Sequence, residues 1–77
     1  MSNTTTENSG LSELTALGKK FYKEKLKAIL EPQHNGEFVA IEPYSGKYFV
    51  EENKLGAILK ARSAMPDKLF FLAKIGT

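Results

Sequence analysis

The sequence predicts an α+β fold in which an N-terminal helix is followed by a ββαβ unit with a three-stranded, mainly antiparallel sheet. Three observations predict it. Apolar residues recur at helical spacing up to Pro32, aromatic and β-branched residues then cluster in two segments joined by a proline–glycine turn, and helical spacing returns after Asn53. A chain of 77 residues has room for one small domain.

Residues 1–10 contain no large apolar side chain after the initiator methionine. Such a segment buries too little surface to offset the entropy lost on ordering. We therefore expect a disordered tail over residues 1–10 and a single small α+β domain over residues 11–77.

The first helix is predicted over Ser12–Leu30, and Pro32 ends it because the residue before proline avoids the helical conformation. On an ideal helix the apolar residues form a broad arc with Leu11 and Ile29 near its centre, and Lys25 falls inside this arc. Residues recurring at spacings of mostly three and four form the arc: Leu11, Leu14, Leu17, Phe21, Tyr22, Leu26, Ile29 and Leu30.

Two strands are predicted next, over Glu37–Ile41 and Lys47–Val50, because aromatic and β-branched residues favour strands. Between them, Glu42–Gly46 contains a proline and a glycine suited to a hairpin turn. The second helix is predicted to begin after an Asn53 cap and to end at Met65. Its residues at helical spacing are Leu55, Ile58, Leu59, Arg62 and Met65.

The last predicted strand, Leu69–Ile75, is apolar on both faces for most of its length. A right-handed crossover places it antiparallel beside the first strand, which gives the spatial order second, first, third. Two helices, one on each face of the sheet, would explain its apolar character. Alternatively, the first helix projects and buries its arc against another chain, where Gly18 would permit close approach of a backbone.

Few residues are available for catalysis or metal binding. The chain has no cysteine, one histidine (His34) and one aspartate (Asp67), and no second histidine lies at ligand spacing. The glycines are too dispersed for a phosphate-binding loop. We therefore expect neither an active site nor a cofactor nor a metal site.

Charge is concentrated in the first helix. Lys19–Lys27 contains five lysines and one glutamate, a net charge of +4 in a chain of net charge +2. A solvated polar face is the favoured interpretation. The alternative is a nucleic-acid contact through Lys19, Lys20, Lys23 and Lys27. Arg62 is the one arginine in the sequence, which argues against readout of base edges.

The sequence does not favour a membrane-spanning segment or a signal peptide. The longest apolar run, Leu69–Ala73, is far shorter than the roughly 20 residues that a spanning helix needs. No charged segment followed by an apolar stretch opens the sequence, so no signal peptide is expected. Together with the lack of cysteine, this predicts a cytoplasmic protein that does not associate with membranes.

Short segments between Leu17 and Gly76 carry a family resemblance, most characteristically in the predicted hairpin. These segments are Gly18-Lys19, Tyr22-Lys23-Glu24-Lys25-Leu26, Leu30-Glu31-Pro32, Gly36-Glu37-Phe38-Val39-Ala40-Ile41-Glu42, Ser45-Gly46-Lys47-Tyr48-Phe49 and Ala64-Met65-Pro66-Asp67-Lys68-Leu69-Phe70-Phe71. Through them the chain resembles a small uncharacterised family of bacterial, notably cyanobacterial, proteins. The family is often encoded in toxin–antitoxin-like gene pairs beside a retropepsin-like protease.

The resemblance implies a binding protein whose partner is another protein, such as the product of a neighbouring gene, and it supplies no catalytic residue. Family members tend to have a glycine–threonine turn and a helix beginning Glu-Ala-Leu after the second strand. Here Glu51–Ala57 departs from that pattern.

The function we expect is that of a non-enzymatic protein–protein interaction module, antitoxin-like or an adaptor subunit, with homodimerisation as its simplest version. Its expected surfaces are the edge strand and the first helix, because edge strands carry unpaired backbone groups. The residues expected to bind a partner are Phe21, Tyr22, Lys25, Leu26, Lys47, Tyr48 and Phe49. Nucleic-acid binding through the basic helix is the alternative.

Overall fold

The computed structural model describes the backbone of residues 2–76 and the side chains of residues 12–76. A long first helix, an antiparallel hairpin, a second helix and a last strand follow one another. Their bounds are α1 (Ser2–Phe21), a π-helical turn (Tyr22–Leu26), α2 (Lys27–Leu30), β1 (Phe38–Glu42), β2 (Lys47–Glu51), α3 (Lys54–Ala64) and β3 (Phe71–Lys74). We use "first helix" for the continuous run of α1, the π-helical turn and α2.

The helix begins at Ser2, earlier than the predicted Ser12. The side chains of residues 1–11 lie outside the part of the chain that the structure describes. The disordered state expected for residues 1–10 therefore stays a prediction.

The predicted topology is confirmed. The sheet has the order β2-β1-β3, and β1 pairs antiparallel with both neighbours. In this register Val39 lies opposite Val50 on one side and Ala73 on the other. The Asn53 cap is also confirmed, because its side chain accepts a hydrogen bond from the Gly56 N–H at 2.7 Å.

Each face of the sheet is covered by one helix, as the apolar character of the last strand predicts. On one face the first helix packs its buried leucines on Val39, Ile41 and Ile75. On the other face, α3 packs Ala57 and Ala61 on Ala40. From Gly18 to Leu30, the first helix therefore packs on its own sheet instead of projecting from it.

Gly18 is where the first helix crosses β3. A Cβ atom at this position would lie 2.5 Å from the Phe71 Cβ, closer than two non-bonded carbon atoms can approach. The close approach that the glycine was expected to permit is therefore made within the chain, to β3.

The π-helical turn corrects the ideal-helix prediction for two residues. Ile29, expected at the centre of the apolar arc, is 57% exposed, and Lys25, expected inside it, is exposed. A π-helical turn accommodates about one more residue than an α-helical turn, so the residues after it are rotated back by about 100°. That rotation is complete at Leu26, the last residue of the turn, and it brings Leu26 and Leu30 to the sheet, where they are 1% and 3% exposed.

Candidate functional site

The outer edge of β2 is open. In the sheet order, β2 pairs with β1 and with no other strand of the described residues. Lys47 and Tyr48 are exposed on it, whereas Phe49 is half-buried and packs edge-on against Phe70 with ring centroids 6.2 Å apart. Of the three residues predicted on this strand, two are accessible to a partner.

The four residues predicted on the first helix do not form one accessible surface. Leu26 lies in the core, and Phe21 and Tyr22 are half-buried against it. Lys25 is exposed beside a shallow depression that Phe21 and Pro43 also line. Leu26 is therefore not available to a partner in this fold, because the π-helical turn rotates it toward the sheet.

Tyr22 ties the first helix to the end of the chain. Its O–H donates to Glu31 Oε2 at 2.5 Å and accepts a hydrogen bond from the Gly76 N–H at 3.2 Å. Burial raises the pKa of the Tyr22 phenol above its ordinary value, and the hydrogen bond to Glu31 acts in the same direction. These contacts give Tyr22 a structural role.

The basic residues of the first helix form an exposed patch, which we call the lysine patch. Its members are Lys19, Lys20, Lys23 and Lys27, and none of them makes an ion pair with another described residue. Lys23 and Lys27 line a shared shallow depression with Glu31 and Pro32. The patch has the charge and exposure that a phosphate contact requires.

The one buried charged side chain among the described residues is Glu42, which is 3% exposed. Its carboxylate accepts the Ser45 N–H at 2.7 Å and the Tyr44 N–H at 3.3 Å. Burial by itself would raise the pKa of this carboxyl, but the hydrogen bonds from Ser45 and Tyr44 outweigh it, and the pKa lies below its ordinary value. The carboxylate is thus satisfied within the hairpin turn.

His34 and Asp67 lie in different places. His34 Nδ1 is 2.9 Å from Glu37 Oε1 in the turn before β1. Asp67 lines a cleft beside α3, and His34 does not. No group of three or more histidine, cysteine or acidic residues able to hold a metal ion occurs within residues 12–76.

Sequence reasoning missed the outward face of α3. Leu55 and Leu59 are 64% and 57% exposed, although their helical spacing is typical of a core-facing stripe. Ala57 and Ala61, also four residues apart, face the sheet instead and are fully buried. The two alanines were the signal for this orientation, because small residues let a helix lie close to a sheet.

A cleft of about 510 Å³ lies on the same side of the sheet. Ile58 and Arg62 of α3 form one wall, and Leu69 and Leu72 form the other. Leu69 is 67% exposed. We call this cleft the α3–β3 groove.

The described residues form a small α+β fold that presents the outer edge of β2, the lysine patch and the α3–β3 groove. Comparison of the chain with protein-family models, curated proteins and solved structures finds no match. The family resemblance based on the hairpin segments therefore stays a prediction. Within the described residues, no helix combines the length and apolar character needed to cross a membrane.

Proposed function

We propose that the protein is a non-enzymatic protein–protein interaction module that binds a partner at the outer edge of β2. The observation that carries this proposal is the five-residue strand Lys47–Glu51, paired along one side, with Lys47 and Tyr48 exposed. Unpaired backbone donors and acceptors recruit an additional strand from a partner. β2 is favoured over β3, the other edge strand, because Tyr48 offers an aromatic ring there, and aromatic residues are enriched at interfaces.

Several finer points remain predictions made from the sequence. They are the antitoxin-like or adaptor role, a partner encoded by a neighbouring gene, homodimerisation and the cytoplasmic location. The prediction that the protein is not an enzyme rests on the few residues of catalytic type in the sequence.

The test is affinity capture with the immobilised chain at moderate salt, comparing the wild type with Tyr48→Asp. A charged side chain beside the strand edge should reduce capture of a specific protein at least tenfold. Tyr44→Asp is the matched control, because Tyr44 is 65% exposed but lies in the hairpin turn rather than on the strand. Thermal melts establish that both variants fold. Equal capture by the two variants, or no captured protein, would contradict the proposal.

Nucleic-acid binding through the lysine patch is the second candidate function. The observation that favours it is that Lys19, Lys20, Lys23 and Lys27 are all exposed and lack ion-pair partners among the described residues. If binding uses four phosphate contacts, raising the salt concentration from 50 to 200 mM should weaken it about 100-fold, because each contact releases condensed counterions.

Retention on DNA or RNA across that salt range separates the two functions. A steep loss of retention that Lys19→Glu with Lys23→Glu abolishes would support nucleic-acid binding. A captured protein that stays bound across the same range would support the interaction module.

A further inference from the structure

On its face of the sheet, α3 covers only two of the three strands. Because Ala57 and Ala61 allow close packing, α3 lies over β1 and β2. Strands lie about 4.8 Å apart and a helix is about 10 Å wide, so one helix covers about two strands. On this face the third strand, β3, is left without a helix of its own, and the α3–β3 groove is the space beside it.

Apolar surface is concentrated along this groove. Leu69 on its outer wall is 67% exposed, and Ile58 and Leu72 are half-buried within it. Leu55 and Leu59 extend the surface along α3, since positions three and four apart share a helix face. Contiguous exposed apolar surface of this kind marks interaction sites.

The charges of the groove indicate the kind of partner. Its lining contains two cations, Arg62 and Lys68, against one carboxylate, Asp67, and all three are exposed. Arg62 makes no ion pair with any residue of the described chain. A guanidinium beside apolar surface is suited to bidentate recognition of a carboxylate.

We propose that the α3–β3 groove binds an acidic amphipathic helix from a different protein. Apolar side chains of that helix would contact Ile58, Leu69 and Leu72, and its carboxylates would pair with Arg62 and Lys68. Such a helix would complete the layer beside α3, in the helix-in-groove mode of recognition. The inference rests on the proposed interaction function and names a second surface and the chemistry of its partner.

Two segments of the chain itself, the first helix and residues 2–10, do not suit the groove as its occupant. The exposed face of the first helix carries the lysine patch, which would repel Arg62 and Lys68 in a second copy. Residues 2–10 contain no apolar side chain larger than a threonine methyl group, so the sequence there offers nothing to fill an apolar groove. A foreign acidic helix meets both the apolar and the electrostatic requirements.

The test is a titration of the ¹⁵N-labelled full chain with a stapled helical peptide of about 16 residues. The probe carries leucines at i, i+4 and i+7 and glutamates on the flanking positions, and a second probe carries lysines in place of the glutamates. We expect amide shifts at Ile58, Arg62, Leu69 and Leu72 with the acidic probe, and at least tenfold weaker binding of the basic probe.

Two pairs of variants check the contacts. Arg62→Glu should weaken binding of the acidic probe at least tenfold, whereas Lys20→Glu makes the same charge change on the opposite face and should have at most a twofold effect. Leu69→Ser should weaken binding at least tenfold, whereas Ile29→Ser, at another exposed apolar residue, should not.

Several outcomes would overturn the inference. The first is an absence of groove amide shifts with the acidic probe at millimolar concentration, and the second is equal binding of the two probes. The third is a shift of the groove amides when the chain alone is concentrated, because a second copy would then be the occupant. None of these variants lies in Lys47–Glu51. A failure here therefore leaves the capture experiment at β2 as a separate test of the proposed function.

Discussion

Glu42 shows how a single residue can hold a charge inside a small domain. Its carboxylate is almost fully buried at the end of β1, yet it accepts two backbone N–H groups from the following turn. Its backbone carbonyl also accepts the Gly46 N–H at 2.9 Å. Hydrogen bonds to a charged acceptor are among the stronger ones, so Glu42 stabilises the hairpin despite the cost of desolvation.

We predict that Glu42→Gln lowers the free energy of unfolding at pH 7 by about 1–2 kcal/mol, because the amide accepts these hydrogen bonds less well. The folded-state pKa of Glu42 is lowered. Its contribution is therefore present above the unfolded-state pKa and is lost as the pH falls through the folded-state pKa. Urea unfolding at pH 7, 5 and 3 should show the gap between wild type and variant narrowing toward pH 3.

Glu52→Gln is the control for this measurement, since Glu52 is an exposed glutamate. It should leave the free energy of unfolding within about 0.5 kcal/mol of the wild type. A gap for Glu42→Gln that stays constant from pH 7 to pH 3 would show that the carboxylate's charge does not contribute.

At the scale of the element, the π-helical turn Tyr22–Leu26 decides which face of the first helix meets the sheet. Leu14 and Gly18 before the turn, Leu26 at its end and Leu30 after it are all buried. A regular helix at 100° per residue would rotate by about 160° between the first and last of these. The extra residue in the turn offsets most of that rotation, and Lys25 is left on the outside.

We therefore predict that deletion of Lys25 is tolerated, with a change in the free energy of unfolding of about 1 kcal/mol or less. Removing one residue from a π-helical turn leaves an α-helical turn, and the buried residues on either side keep their faces. Deletion of Ala28 is the matched control, because Ala28 is also exposed but lies in α2. This deletion should cost at least about 3 kcal/mol, since a buried leucine is displaced from the core.

Circular dichroism during urea unfolding measures both deletions. Equal losses of stability for the two would mean that the π-helical turn is not what sets the register of the first helix.

The same element shows what the sequence could and could not predict. The positions of Pro32 and Asn53 and the change of hydrophobic period predicted the two helical regions and three strands in their order, but not the π-helical turn. The buried face of the first helix was not predicted, because an ideal-helix projection assumes one rotation per residue throughout. Leu26 and Leu30 pack on strands that lie later in the sequence, so the contacts made after the π-helical turn cannot be read from the helix segment alone.

At the scale of the whole molecule, the two faces of the sheet carry hydrophobic cores of different composition. The first helix contributes large aliphatic side chains to one face, and α3 contributes alanines to the other. Sequence reasoning identified the open edge of β2 but not the groove beside α3. The spacing of Leu55 and Leu59 is typical of a core stripe, and only the position of α3 over the sheet reveals that they face outward.

Ile75 of the C-terminal segment forms part of the core beneath the first helix. This side chain is fully buried among Leu26, Leu30, Val39 and Ile41. Its N–H donates to the Glu37 carbonyl at 2.8 Å, and its carbonyl accepts the Gly36 N–H at 2.9 Å. The residues next to the C-terminus thus extend the pairing of β3 with β1 and complete the core.

We predict that Ile75→Ala lowers the free energy of unfolding by about 3 kcal/mol, because it leaves a cavity in a core that cannot readily collapse around it. Small domains have total stabilities of about 5–15 kcal/mol, so this loss should lower the urea midpoint markedly. Ile29→Ala removes the same atoms from a side chain that is 57% exposed, and it should change stability by no more than about 0.5 kcal/mol. Urea unfolding of the two variants measures the difference. Similar midpoints would mean that Ile75 does not anchor the core, and would place the stabilising contacts of this face in the first helix and β1 alone.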